Sequence, residues 1–219
     1  MRCNYFIMGI KERKEKHKED LRQRILDAAK ELFLKDGYEA TSIRKIAEKI
    51  EFSPTTIYLY YKDKADIMYA LHQEGFILLG SQFGVLQHVS EPFERLKAMG
   101  RVYMSFALNN PDFYELMFIM KEPIEFVKAH CHDEEWEEGE QAFTALIMTV
   151  DQCKAAGYFT SFETTTFALN VWSLMHGLCS LKLQGHLDHM ATTKAHMLEE
   201  GDWLEKTFDG FIAMLNSLK

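Results

Sequence analysis

Residues Thr41 to Lys64, TSIRKIAEKIEFSPTTIYLYYKDK, constrain this chain more than any other stretch. Ile43, Ile46, Ala47 and Ile50 recur at the three- and four-residue spacing of an amphipathic helix. That helix is too short to be stable alone, so it must pack on a neighbour. After Glu51 and Phe52 comes Ser53-Pro54, a capping hydroxyl followed by proline at the first helical position, where no amide hydrogen is needed. A second helix is predicted from Pro54 to about Tyr60, carrying Thr55, Thr56, Tyr58 and Tyr60. Two short helices joined by a tight turn, the second rich in hydroxyls and flanked by lysines, suit a helix-turn-helix that reads DNA.

Charge is distributed to match. The whole chain is acidic at −8, which taken alone argues against nucleic acid. Residues 1–64 hold 15 Lys and Arg against 11 Asp and Glu, net +4, while residues 65–219 hold 10 against 22, net −12. A basic head on an acidic body presents one end to phosphates and keeps the rest off them.

The remaining pattern is helical. With 47% hydrophobic residues, only four prolines and no strand-like alternation between turn signals, the 219 residues predict an all-α fold with a sizeable core. The longest apolar runs fall short of a membrane span. The opening MRCNYFIMGIKERKEKHKED has too short an apolar stretch and the wrong charge order for a secretory signal. Cys3, Cys131, Cys153 and Cys179 are widely spaced, as suits reduced thiols. The expectation is a cytoplasmic protein with no membrane partner.

Punctuation sets about nine helices. Residues 1–17 read as a basic arm, its Lys11–Lys18 part a solvated extension or, alternatively, lysines and Arg13 that touch the DNA backbone or minor groove. Residues 18–64 form the reading head, starting with a helix from Lys18 to Lys35 closed by Gly37. Residues 65–219 form a helical body. A connector helix capped by Asp63, with Asp66 as the capping acid, runs from Lys64 to His88. Helices follow over Pro92–Leu108, Pro111–Met120, Glu134–Ala156 closed by Gly157, Glu163–Gln184 closed by Gly185, and Trp203–Leu218, with a broken stretch around Pro123.

These residues resemble the TetR family of bacterial transcriptional regulators. The resemblance rests on Gly37-Tyr38, Thr41-Ser42-Ile43, Ile46-Ala47 and, above all, Ser53-Pro54-Thr55-Thr56-Ile57-Tyr58 with Tyr60-Tyr61 and Lys64, about 50 residues in all. In the body, Trp172, His176 and Gly177 are similar to the tryptophan–histidine–glycine signature of one C-terminal class in that family, as is Asn110-Pro111-Asp112-Phe113-Tyr114. One position departs: Glu51 stands where the family carries glycine in the turn. A glutamate held there at positive φ costs on the order of 1 kcal/mol unless the turn is remodelled.

The resemblance and the residue chemistry together name a DNA-contact set. Thr41 and Ser42 offer hydroxyls and amides at a helix start, and Arg44 reaches either a guanine edge or a phosphate. Ser53 and Pro54 set the second helix. Thr55 and Thr56 suit base edges, Tyr58 and Tyr60 suit thymine methyls or phosphates, and Lys64 resembles the family's phosphate-contacting lysine. Ile57 and Tyr61 are expected inside the head. Double-stranded DNA with a pseudo-palindromic operator is the implied partner, read by a homodimer formed through the Glu163–Gln184 and Trp203–Leu218 helices. There Asn170, Ser173, Gly177 and Ser180 make a small-residue stripe.

The body is rich in soft and aromatic side chains. Most belong to a core, but Tyr103, Phe106, Tyr114, Phe118, Trp172, Met175 and His176 are candidates to line the apolar inducer pocket that the family resemblance implies. The expected ligand is a small apolar or aromatic molecule that releases a repressor. No cofactor is expected. His130-Cys131-His132-Asp133 and His186, Asp188, His189 supply metal-ligand types without paired spacing, so no metal site is assigned and a metal-responsive regulator stays an alternative. No nucleophile elbow, phosphate loop or paired carboxylate points to an enzyme. The alternative from a different class is a helical small-molecule binding protein or enzyme that does not read DNA sequence.

Overall fold

In a computed structural model of the chain, residues 10–130, 137–193 and 202–219 are described, and no strand occurs among them. They form α1 (Ile10–Asp36), α2 (Ile43–Lys49), α3 (Pro54–Ile57), α4 (Lys64–Gly84), α5 (Pro92–Asn109), α6 (Pro111–Tyr114), α7 (Glu122–His130), α8 (Glu137–Ala155), α9 (Thr164–Leu183), α10 (His186–Thr193) and α11 (Trp203–Asn216). A 3₁₀ turn, Val85–His88, follows α4, and a π-helical stretch, Glu115–Ile119, continues α6. None of these helices is long and apolar enough to cross a membrane.

Several boundaries differ from the sequence reading. α1 begins at Ile10, so residues 10–17 of the expected arm are helix, exposed from Glu12 on. No apolar stripe marks those turns; Glu12 with Lys16 and Glu15 with Lys18 fall at the spacings at which opposite charges support a solvated helix. α3 is shorter than expected. Beyond Ile57 the chain tightens into i→i+3 bonds, Leu59 N–H to the Thr56 carbonyl and Tyr60 N–H to the Ile57 carbonyl. α7 and α10 are additional helices, and the connector ends at Gly84. The first nine residues, the Cys131–Asp133 part of the first metal-ligand cluster and most of the acidic run after it lie outside the described residues.

Two compact units emerge. One, the head, comprises residues 10–72 with 120–130; the other, the body, comprises 73–119 with the described residues from 137 on. The division falls inside α4 rather than at its start, and α7 belongs with the head.

The head is a small core closed by polar ties. Ile25, Ala29 and Phe33 of α1, Ile46 and Ala47 of α2, Ile57 of α3, and Ile67 and Leu71 of α4 are buried together. Phe126 of α7 stacks on Tyr69 at 4.9 Å. Gly37, at φ +86°, ends α1 in the left-handed region, as the sequence placed it. At the start of α4, Asp63 accepts the Asp66 N–H at 2.9 Å and Asp66 accepts the Lys62 N–H at 2.9 Å.

The body is built around α5, which packs against α6, α8 and α9. α5 buries Phe93, Leu96, Met99, Tyr103, Met104, Phe106 and Ala107. At one end Phe93 stacks on Tyr158 and Phe159 on Phe167, with centroids 4.6 and 4.4 Å apart. Phe159 holds φ +42°, and its N–H donates to the Leu218 carbonyl, which ties α11's end to that turn. Glu163 caps α9 by accepting the Thr165 and Thr166 amides; a bond from the Thr166 hydroxyl, together with those amides, holds its carboxyl down at about 2. Cys153 and Cys179 are free thiols with no solvent exposure, and burial pushes each up to about 12.

Candidate DNA-reading face and ligand cavity

The turn between α2 and α3 decides how the second helix is presented. α2 ends with Glu51 N–H bonded to the Glu48 carbonyl and Phe52 N–H to the Ala47 carbonyl, with Glu51 at φ +61°. This is the paired bonding of a Schellman cap, with glutamate in the left-handed position that glycine favours. The turn is kept rather than remodelled, so the strain of about 1 kcal/mol is borne. Arg24 of α1 helps to bear it. Its guanidinium donates to the Ile50 carbonyl at 2.9 Å and lies 5.2 Å over the Phe52 ring.

Ser42 and Ser53 cap α2 and α3, accepting the Lys45 and Thr56 amides, each at 3.2 Å. The Ser53 hydroxyl also meets the Thr56 hydroxyl at 2.9 Å. Pro54 stands at the first turn of α3. Arg44, Thr55 and Tyr58 are exposed and Tyr60 is half-buried, while Ile57 and Tyr61 are buried as expected. Thr41 departs from its expected role. It is 2% exposed, and its hydroxyl donates to the Gly37 carbonyl at 2.8 Å and the Leu32 carbonyl at 3.2 Å. That hydroxyl fastens the end of α1 and is withheld from a phosphate. Lys64 lies between the two cases. Its ammonium donates to the Tyr38 carbonyl at 2.7 Å and sits 3.9 Å from that ring's centroid, leaving two of its three protons for a phosphate.

The body holds a partly open cavity of about 240 Å³ walled by α4, α5, the π-helical stretch, α8 and α9. Tyr103, Phe118, Trp172 and Met175 line it, as expected. Phe106, Tyr114 and His176 do not. Leu96, Met99, Gly100 and Tyr103 form the stripe of α5 that meets the void, and Phe106 lies about a quarter turn away, packed in the core. Tyr114 and His176 form a hydrogen-bonded layer instead. The Tyr114 hydroxyl lies 2.7 Å from His176 Nδ1 and 2.9 Å from the His176 carbonyl oxygen, and the rings stack at 5.3 Å. Trp172 Nε1–H donates to the Tyr103 hydroxyl at 3.3 Å, itself 3.3 Å from His176 Nδ1.

Electrostatically this layer is neutral. Burial raises the Tyr103 and Tyr114 phenols far above their usual value and lowers the His176 imidazole. Among the described lining residues Glu140, from α8, is the only acidic or basic one. The sequence reading missed Leu79, Gly139 and Leu146, whose types carry no signal beyond apolarity or smallness. A larger outer groove of about 770 Å³ shares Phe76, Phe83, Met99 and Ala142 with the cavity.

Asp188 of the second metal-ligand cluster is paired with Lys182 at 2.6 Å, and no group of three metal donors comes together among the described residues.

A family model for "Bacterial regulatory proteins, tetR family" matches residues 25–71, and one for "Tetracyclin repressor-like, C-terminal domain" matches residues 96–201. The chain belongs to the TetR family. It is a helix-turn-helix, DNA-binding transcriptional regulator. The chain is 39% identical over 59 residues to the "Fatty acid metabolism regulator protein" of Bacillus subtilis (strain 168). It is 47% identical over 49 residues to the "Uncharacterized HTH-type transcriptional regulator YvkB" of the same organism. These matches take in 27% and 22% of this chain and only 30% and 26% of those relatives' own lengths.

The fold extends further. A protein of unknown function from Rhodococcus sp. RHA1 superposes with a TM-score of 0.66 at 20% identity, covering 98% of each chain. The fatty acid degradation regulator FadR from Bacillus halodurans does so at 0.66 and 16% identity, covering 89% of this chain and 93% of that one.

In this TetR-family chain, α9 and α11 leave an open face. Leu169, Asn170, Ser173 and Leu181 of α9 are exposed, as are Gly210 and Met214 of α11. A Cβ added at Gly177 or Gly210 would meet nothing within 4 Å.

Proposed function

We propose that this regulator is a homodimeric repressor, released from a pseudo-palindromic operator when a small uncharged apolar ligand fills the body cavity. The observation that carries the reading is the partly open, almost wholly apolar cavity in the body of a chain whose head reads DNA. A void of ~150 Å³ holds one benzene. One of about 240 Å³ therefore suits a two-ring aromatic or a short acyl chain, and the outer groove gives a longer molecule room to continue. Two similar proteins are named for fatty acid metabolism and fatty acid degradation, which favours the acyl chain. No cation lines the cavity itself among the described residues, which disfavours a carboxylate or phosphate buried there, while Arg95 lines the outer groove.

Operator contact falls to Ser42, Arg44, Ser53, Pro54, Thr55, Thr56, Tyr58, Tyr60 and Lys64, with Thr41 as a positioning residue. Dimerisation falls to the open face of α9 and α11, whose small residues suit close four-helix packing. For release, the ligand must favour the state with weaker operator affinity; a ~100-fold preference corresponds to about 2.7 kcal/mol of coupling.

The test begins with operator selection from random duplexes. Acyl and aromatic compounds, neutral and anionic, are then screened by thermal shift and by their effect on operator affinity. A neutral apolar compound that raises Tm and weakens operator binding supports the reading. Stabilising compounds that leave DNA affinity unchanged would defeat it. Gly177→Glu should separate the dimer in sedimentation and lower operator affinity with it.

A further inference from the structure

We propose that Leu59 is a sequence-reading residue of this regulator and that it recognises the C5-methyl group of a thymine in each half-site. Leu59 is 75% exposed, the most exposed large apolar side chain among the described residues. It stands in the tight turn that continues α3, where its N–H donates to the Thr56 carbonyl. Thr55, four residues earlier, is also exposed, and Tyr58, beside it, is 57% exposed. Ile57 and Tyr61 take the opposite side into the core. Leu59 is thus the apolar member of a cluster that otherwise offers hydroxyls.

A single exposed leucine on a protein surface carries little meaning by itself. Its place on the reading face gives this one a partner. Leucine can donate to no phosphate and to no base edge. In the major groove the feature that rewards an apolar side chain is the thymine methyl. Tyr58 and Tyr60 can also reach a methyl but can bond a phosphate instead, so the leucine has the narrower choice. The inference rests on the DNA-reading function and adds the base that this position selects.

The experiment uses the full chain and an operator selected from random duplexes. Each thymine in one half-site is replaced in turn by deoxyuridine, which removes only the methyl. At the thymine met by Leu59, the substitution should weaken the wild type about fourfold, the value of one buried methyl group. Leu59→Ala should bind that operator more weakly and show no further loss at that one position, while its responses at other thymines match the wild type. Because the side chain is exposed, the variant should keep the wild-type urea midpoint. Equal deoxyuridine responses in wild type and variant at every position overturn the assignment, as does a wild type insensitive to all of them. A change in the variant's sedimentation would place Leu59 in a protein interface and overturn it too. Failure to select any sequence overturns the DNA-reading function itself, a result distinct from the others.

Discussion

Head and body keep their shapes by different means. The head is fastened by side chains bonded to main-chain carbonyls: Thr41 to Leu32 and Gly37, Arg24 to Ile50, Lys64 to Tyr38. The body is held by aromatic volume. Phe118 alone has Phe76, Tyr103, Tyr114, Trp172 and His176 around it with centroids within 6.2 Å. A carbonyl tie has one donor and one address, so it fixes which way a short helix faces. Aromatic packing is less exacting; it tolerates a void and lets the lining shift around a guest. Reading DNA demands the first property, and the proposed sensing of an apolar molecule demands the second.

The largest expected effect tests the body. Phe106→Ala should lower stability by about 3–5 kcal/mol in urea unfolding, because a fully enclosed ring leaves a cavity behind. A loss below ~1 kcal/mol would mean that the body core collapses freely, and the contrast with the head would weaken.

The head's counterpart is Thr41→Val, which keeps the volume and removes the hydroxyl. Two carbonyls at the end of α1 lose their donor, and the expected loss is about 1–2 kcal/mol. The variant's base preferences should stay those of the wild type, since Thr41 positions the head rather than touching DNA. Relaxed preference at a single base pair would return Thr41 to the contact set.

Titration sharpens the picture of the body's Tyr103–Tyr114–His176 layer. His176 is held below its unfolded value of ~6.5, so the unfolded chain binds its proton first. The stability this neutral imidazole confers is full above ~6.5 and declines as pH falls through the folded value, by at most about 1.4 kcal/mol per pH unit. His176→Gln should unfold with a shallower dependence between pH 7.5 and 5.5. An identical slope in both proteins would assign that pH dependence to other groups.

Smallest is the gain from Glu51→Gly. Relief of the positive φ should raise stability by about 0.5–1 kcal/mol, read as a higher urea midpoint at unchanged slope. A lower midpoint would mean that the glutamate side chain contributes more than its backbone costs.

The same contrast explains what could be read from the sequence. Ser53-Pro54 and the helix-closing glycines at 37, 157 and 185 each perform one local act, and all three glycines take positive φ. Phe106, Tyr114 and Phe118 are alike to a pattern search, because all three are aromatic residues on helical segments rich in apolar side chains. Which ring meets a void depends on α8 and α9, far away in sequence. α1's early start was invisible because its residues from Glu12 to Asp20 are exposed and bury no apolar stripe. Leu59 was passed over because an apolar residue beside a buried isoleucine and tyrosine resembles core.

Cys153 and Cys179 turn the body's packing into a clock. A thiol reacts as its thiolate, and these two are both sealed from solvent and pushed up to about 12. Alkylating reagents and peroxide should pass the folded chain by at these positions and strike only when the body opens. With Cys3 and Cys131 replaced by serine, labelling would time that opening, and a ligand lodged in the cavity would slow it.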